Sequence, residues 1–204
     1  MNLIRIALLS GLVALLQACA SVPAGKPVDH AMSQALYQQH LQNLAGIGQF
    51  TLQGRIGVQA EGKGFSGSLN WQHNPADDEI ALYSPLGGQV ASIKKTADEV
   101  TLIDAKGKRI SAADTETLTQ NTLGWKLPLT GLADWSIGRP TSSAVQASTL
   151  DEKGRLLTLK QDGWDIEYQN YSEQNGHFLP GKIVLRSEKL NLKLLIEKWL
   201  IVKN

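Results

Sequence analysis

The sequence is poor in cysteine: its 204 residues include only one, Cys19. A single cysteine cannot form a disulfide within the chain, which excludes a disulfide-stapled scaffold. The chain also lacks an excess of either charge, with 20 basic and 19 acidic side chains. Proteins that bind nucleic acid usually carry a basic excess, so we expect no nucleic acid among the partners. The same balance gives no reason to expect a basic membrane-binding surface.

The one long apolar stretch is too short to cross a membrane. It runs from Ile6 to Leu16 and is broken only by Ser10 and Gly11. A membrane-spanning helix needs about 20 residues, whereas a signal-peptide core needs about half that number. Because Arg5 supplies a positive charge just before the stretch, the sequence predicts a signal peptide.

The apolar stretch ends in Leu16-Gln17-Ala18-Cys19, which resembles the lipobox cut by lipoprotein signal peptidase. The resemblance implies cleavage before Cys19 and acylation of that cysteine, with at least two chains for stable anchoring. Lipidation would also account for one unpaired cysteine in an exported chain. Ala20, rather than an aspartate, follows the cysteine, which implies sorting to the outer membrane. The alternative is an ordinary signal peptide with a chance cysteine.

The rest of the chain is long enough for one domain with a substantial core. We therefore predict a signal peptide over residues 1–18, a lipidated N-terminus and tether over residues 19–29, and a single domain over residues 30–204. Between Ala31 and Leu44 the apolar side chains follow helical spacing, which predicts an amphipathic helix.

After residue 50 the apolar period changes to that of β-strands. Apolar and polar residues alternate between Phe50 and Ala60, and Asp162-Gly163 is a strong hairpin signal. Asp114 and Gly124 bound a short helix, and a second covers residues 129–137. Such a sheet must bury its apolar face against a second sheet, a helical lid or a ligand. The predicted strands cover residues 50–60, 65–71, 79–84, 89–94, 99–104, 155–161, 164–168, 182–187 and 190–198.

Several segments, taken in their order and spacing, resemble the LolB family of outer-membrane lipoprotein receptors. They are Gly54-Arg55-Ile56, Ser68-Leu69-Asn70-Trp71, Ser84-Pro85-Leu86-Gly87, Leu123-Gly124-Trp125-Lys126-Leu127-Pro128-Leu129, Leu132-Ala133-Asp134-Trp135 and Trp199. The resemblance implies a mainly β fold: an unclosed antiparallel β-barrel of about 11 strands around a hydrophobic cavity, capped by about three helices.

The resemblance also implies a function, and the residues themselves give no reason to expect catalysis, a cofactor or a metal. We expect this chain to be a monomer, lipid-anchored in the outer membrane and facing the periplasm. A member of this family accepts lipoproteins from the periplasmic carrier LolA and inserts their acyl chains in the inner leaflet of that membrane. The partners implied are therefore LolA, the acyl chains of cargo lipoproteins and the inner leaflet itself.

Candidate cavity residues lie on the apolar faces of the predicted strands or on the predicted lid. Each could equally be simple core. The candidates are Leu52, Ile56, Leu69, Trp71, Leu82 and Trp135.

Leu86 is the sharpest single candidate. Pro85 favours a turn and Gly87-Gly88 permit positive φ, so Leu86 is expected at a loop tip. In the family the matching leucine protrudes and is implicated in handing the lipid anchor to the membrane. The alternative is that Leu86 folds back on the core.

Other motifs predict little chemistry. Gly62-Lys63-Gly64-Phe65-Ser66-Gly67 matches a dinucleotide-binding pattern, but a strand rather than a helix follows, so we expect a hairpin turn. The four histidines show no metal-ligand spacing and are expected at the surface. No catalytic constellation is evident. Two rival functions remain, a carrier of free lipid or glycolipid with a similar fold and a lipoprotein that scaffolds an envelope complex.

Overall fold

The structure is a computed structural model that describes residues 30–60 and 62–202. The predicted signal peptide, Cys19 and the tether lie outside the described residues. In chain order the elements are α1 (His30–Ala45), β1 (Gln49–Ala60), β2 (Lys63–His73), β3 (Asp78–Tyr83), β4 (Gln89–Lys95), β5 (Val100–Asp104), β6 (Arg109–Ala112), α2 (Thr115–Leu123), α3 (Leu129–Ser136), β7 (Val145–Leu150), β8 (Leu156–Gln161), β9 (Trp164–Gln169), β10 (Ser172–Gln174), β11 (His177–Leu179), β12 (Lys182–Arg186) and β13 (Leu190–Val202).

Eleven of the strands form one antiparallel sheet in the order β6-β5-β4-β3-β2-β1-β13-β12-β9-β8-β7. Its two edge strands, β6 and β7, do not pair with each other, so the sheet is unclosed. The remaining strands, β10 and β11, form a separate small hairpin. The predicted fold class, an unclosed antiparallel sheet of about eleven strands with helices, is confirmed.

The long strands β1 and β13 pair in the middle of the sheet, and one face of this pair is buried. Alternate residues of β1 are buried, as the period of a strand requires. The register of the two strands shifts between Gln53 and Gly54. A Cβ at Gly54 would collide with the carbonyl oxygen of Leu195, so this position needs a residue without a side chain.

The two short helices between β6 and β7 begin and end close to the predicted residues. Asp114 accepts a hydrogen bond from the N–H of Thr117 at 2.8 Å and caps α2. Gly124 ends that helix with a φ of 84°, a left-handed conformation that favours glycine. Gly138, with a φ of 81°, follows α3. No helix within the described ranges is long and apolar enough to span a bilayer.

Four strands carry no prediction from the sequence. β6 has four residues, and β7 is almost entirely exposed, so neither shows an alternating apolar pattern. β10 and β11 have three residues each. Their turn, Asn175-Gly176, has positive φ at both residues and is a typical hairpin signal.

Candidate functional site

Five of the six candidate cavity residues lie on the buried face of three neighbouring strands. Leu52 and Ile56 belong to β1, Leu69 and Trp71 to β2, and Leu82 to β3, and all are buried. The strand register places Leu52 opposite Trp71 and Leu69 opposite Leu82. The alternation read from the sequence therefore brings these side chains into one apolar layer.

A lid covers this layer, and it consists of α2, α3 and the linker between them (residues 115–136). Two lid residues, Leu127 and Leu132, share a small void with side chains of the sheet. The void measures about 10 Å³, which is about the minimum needed for one water molecule. The sheet residues that line it are Ile56, Leu69, Trp71, Ile80, Leu82, Leu192 and Leu194.

Four of the six candidates therefore line the void, and two do not. Leu52 is fully buried on β1 but lies outside it, and Trp135 lies at the other end of the lid. Sequence reasoning did not single out Leu127 and Leu132. The signal was available, because both lie within segments that resemble the family and both are apolar residues of the predicted lid.

Trp135 is part of the attachment of the lid to β8. Its indole N–H donates to the side-chain oxygen of Gln161 at 3.0 Å. Gln161 is fully buried, and the same oxygen accepts the backbone N–H of Thr141 at 3.0 Å. Its amide N–H donates to the carbonyl oxygen of Ser143 at 2.7 Å. A single amide thus fixes the C-terminal end of α3 and the segment that leads into β7.

A polar contact inside the lid joins α2 to the linker. The buried hydroxyl oxygen of Thr119 accepts the backbone N–H of Leu127 at 2.9 Å, and the hydroxyl donates to the carbonyl of Thr115. At the C-terminal end, Arg139 pairs with Asp134 at 2.6 Å. The linker between α2 and α3 has one charged residue, Lys126, and it forms no ion pair with any residue of 30–60 or 62–202.

A polar network closes one border of the apolar layer. The indole N–H of Trp71 donates to a carboxylate oxygen of Asp78 at 2.8 Å, and His73 contacts the same oxygen at 2.7 Å. Asp78 is buried, and a buried carboxylate needs partners for both of its oxygens. Its second oxygen lies 3.9 Å from the ammonium of Lys95. This network gives the buried polar atoms beside the layer their partners.

A second polar cluster packs α1 against the turn between β7 and β8. Arg155 pairs with Asp151 and stacks over the ring of Tyr171, 4.7 Å from its centroid. His40 is buried beside them, and burial together with the charge of Arg155 lowers its pKa. Burial likewise raises the pKa of Tyr171. The expectation that the histidines lie at the surface is wrong for His40, because the helix that carries it packs on this cluster.

Leu86 lies at the tip of the β3–β4 loop and is 97% exposed. The N–H of Ser84 donates to the carbonyl of Gly88, and the N–H of Gly87 donates back to the carbonyl of Ser84. Gly87 has a φ of 85°, which an L residue rarely adopts. The turn keeps the leucine side chain exposed to water, which is roughly 1.5–3 kcal/mol less favourable than burying it. It does not fold back on the core.

The remaining motifs have structural roles. Lys63, Gly64 and Phe65 lie in β2, directly after the turn residue Gly62, so the dinucleotide-like pattern is part of a hairpin. Across residues 30–60 and 62–202, no three His, Cys, Asp or Glu side chains converge as metal ligands.

Comparison with known proteins places the chain in a family. The model of the family described as outer membrane lipoprotein LolB matches residues 48–199. An outer-membrane lipoprotein LolB of Pseudomonas fluorescens is 37% identical over 92% of both chains. One from Pseudomonas savastanoi pv. phaseolicola is 35% identical over 96% of both chains.

Solved structures show the same fold at low sequence identity. A LolA superfamily protein from Nitrosomonas europaea is 9% identical, with a TM-score of 0.51 over 84% of this chain and 94% of its own. A domain from Vibrio parahaemolyticus described as an outer-membrane lipoprotein-sorting protein is 8% identical, with a TM-score of 0.53 over 82% and 91%. With a family model that covers three quarters of the sequence and relatives aligned almost end to end, the chain belongs to the LolB family.

Proposed function

We propose that this protein is a lipid-anchored receptor of the outer membrane that accepts lipoproteins from the carrier LolA and inserts them in the inner leaflet. The observation that carries the proposal is an apolar layer beneath a lid that contributes its own leucines to the interior. Its named relatives are outer-membrane lipoproteins. The role needs no bond-making chemistry, so we propose no catalytic residue, cofactor or metal, and we propose that the receptor is a monomer.

The physical need for such a receptor is large. A triacylated lipoprotein exposes on the order of 45 methylenes, and at about 0.8 kcal/mol each their transfer to water costs tens of kcal/mol. Free diffusion between two membranes is therefore excluded. A carrier must shield the chains, and a receptor must then offer them an apolar site of comparable size.

The interior of this structure is closed, so acceptance requires the lid to move. A void of about 10 Å³ cannot hold an acyl chain. Leu127 and Leu132 occupy the layer that the acyl chain would fill. We propose that the lid swings away at the Leu127 end, because the hydrogen bonds and ion pairs that tie the lid to other described elements lie at its other end. There Gln161 bonds to Trp135, and Arg139 joins Asp134 to the carbonyl of Leu44.

The membrane-facing parts of the proposal concern Cys19 and Leu86. We propose that Cys19 is acylated and that residues 19–29 form a tether of at most about 35 Å, which keeps the domain of residues 30–204 near its membrane, facing the periplasm. The exposed Leu86 would enter the lipid when cargo is released. Burial of this side chain in the bilayer favours contact at that moment.

The test is transfer in vitro. LolA loaded with a lipoprotein is mixed with an equal amount of this protein lacking its anchor, and the cargo on each is measured after separation. We expect most cargo to move to this protein, because no nucleotide-binding loop is evident in its sequence and transfer must run downhill. About 1.4 kcal/mol of preference gives a tenfold bias. Cargo that remains on LolA would refute the downhill scheme.

The small void favours one rival function, the scaffold that binds no lipid in its fold. A scaffold would keep its interior closed in the presence of acylated protein. Hydrogen exchange distinguishes the two, because cargo should speed exchange across the lid, residues 115–136, in a receptor and leave it unchanged in a scaffold. Recovery of free lipid rather than acylated protein with the purified domain would instead support the lipid carrier.

A further inference from the structure

Two neighbouring loops at one end of the sheet have the same backbone structure. In the β3–β4 loop, Ser84 bonds to Gly88 and Gly87 bonds back to Ser84. In the β5–β6 loop the corresponding bonds join Asp104 to Lys108 and Gly107 to Asp104. Gly87 and Gly107 have φ values of 85° and 80°. Lys106 in the second loop therefore occupies the position that Leu86 has in the first.

The β5–β6 loop carries a local excess of positive charge that the balanced composition conceals. Lys106, Lys108 and Arg109 follow one another within four residues and are all exposed. None of the three forms an ion pair with another described residue. The one nearby carboxylate in the loop, Asp104, accepts the backbone N–H groups of Lys106 and Lys108 at 2.8 and 3.0 Å.

The strand register fixes how the two loops stand relative to each other. Leu82 pairs with Ala91, and Ala91 pairs with Asp104, so Asp104 is level with Leu82. Ser84 lies two residues further along the strand. At about 3.3 Å per residue the Leu86 loop therefore starts about 7 Å beyond the basic loop, and two strand spacings separate them by about 10 Å.

We propose that Lys106, Lys108 and Arg109, together with Leu86, form a contact surface for a bilayer that contains anionic phospholipid. The proposal rests on the proposed role of Leu86 and adds the headgroup class that the surface recognises. The apolar faces of interfacial helices are buried about 5–10 Å into the boundary between headgroups and acyl chains, and we apply the same depth to this loop. An offset of about 7 Å therefore places the cations at headgroup phosphates when the leucine reaches the acyl boundary.

The test uses the full lipidated chain reconstituted in vesicles of phosphatidylcholine, with and without phosphatidylglycerol. A nitrobenzoxadiazole dye on Gly88→Cys reports the surroundings of the loop. Gly88 suits this label because its φ is not in the left-handed region and an added Cβ would meet only the Ser84 hydroxyl, at 3.6 Å. The proposed acylation of Cys19 leaves the new thiol as the only one to react.

We expect a blue shift and brighter emission on phosphatidylglycerol vesicles, fading as salt is added. The double variant Lys106→Gln/Lys108→Gln should lower the ratio of contacting to free loops about thirtyfold at low salt. The control is Lys193→Gln/Lys198→Gln, which removes the same charge from exposed positions of β13 and should keep the signal.

Four results would overturn the proposal. An equal wild-type signal on neutral and anionic vesicles would retain the contact by Leu86 and remove the headgroup preference. Equal loss in the two double variants would make the effect one of net charge. If Lys106→Gln/Lys108→Gln kept full contact with the vesicles but accepted cargo from LolA less well, the cations would belong to a protein interface. No signal on either vesicle would reject the role of Leu86 as well.

Discussion

Gln161→Leu tests whether one buried amide anchors the lid. The substitution keeps the size of the side chain and removes every hydrogen bond that the side-chain amide of Gln161 makes. The indole N–H of Trp135 is then buried without a partner, whereas Thr141 and Ser143 lie closer to solvent and can bond to water. An unsatisfied buried donor costs roughly 1–3 kcal/mol, and the lost bonds of the amide add to it. We expect the free energy of unfolding to fall by about 2–4 kcal/mol.

The assay is urea unfolding followed by tryptophan fluorescence, with the slope compared between variants to confirm that the same surface is exposed. Gln146→Leu is the matched control, because it makes the same chemical change at an exposed position of β7. Exposed substitutions of this kind stay within about 0.5 kcal/mol. If Gln161→Leu were no more costly than this control, the amide would not anchor the lid, and the proposal that the lid stays fastened at Trp135 would be wrong.

Three further predictions concern the tether, the loop and pH. A chain that starts at Ala20 should be soluble and still accept cargo, since the anchor precedes every patterned element; aggregation or loss of cargo binding contradicts this. Leu86→Glu should keep its melting temperature and its acceptance from LolA but fail to deliver cargo to liposomes, because a carboxylate opposes entry into lipid, whereas Leu86→Ile should be nearly silent. The pKa of His40 is lowered in the folded chain, so as pH falls the unfolded chain takes up a proton at His40 before the folded chain does. Stability should therefore fall as pH drops below about 6.5, the ordinary histidine pKa. His40→Gln should remove that slope in unfolding experiments at several pH values.

The sequence predicts most of this fold because its long strands bury one face. Residues 50–60 alternate strictly, and strand periodicity determines which side chains point inward. The same reasoning fails for β7, whose side chains are exposed and gain nothing from alternation. Local turn chemistry is predictable for a related reason: Asp162 and Gly163 both have positive φ, a conformation that this dipeptide favours.

The candidate site was only partly predictable, because its shape depends on contacts between distant segments. Periodicity identifies Ile56 and Leu69 as inward-facing, but it cannot show that Leu127 and Leu132 reach them from the lid. Charge poses the same problem. The chain is nearly neutral overall, yet the β5–β6 hairpin holds its cations beside Leu86, and only the strand order reveals that neighbourhood.

A closed interior also bears on how cargo can be both accepted and released. In the closed state Leu127 and Leu132 already fill the apolar layer. Under the proposed function, acyl chains would replace these leucines rather than occupy an empty cavity. The affinity for acyl chains is then a difference between two burials, smaller than the tens of kcal/mol that separate acyl chains from water. The receptor can therefore bind acyl chains more tightly than the carrier does, by a few kcal/mol, and still bind them less tightly than a bilayer does. Leucines in the lid therefore make downhill transfer compatible with release.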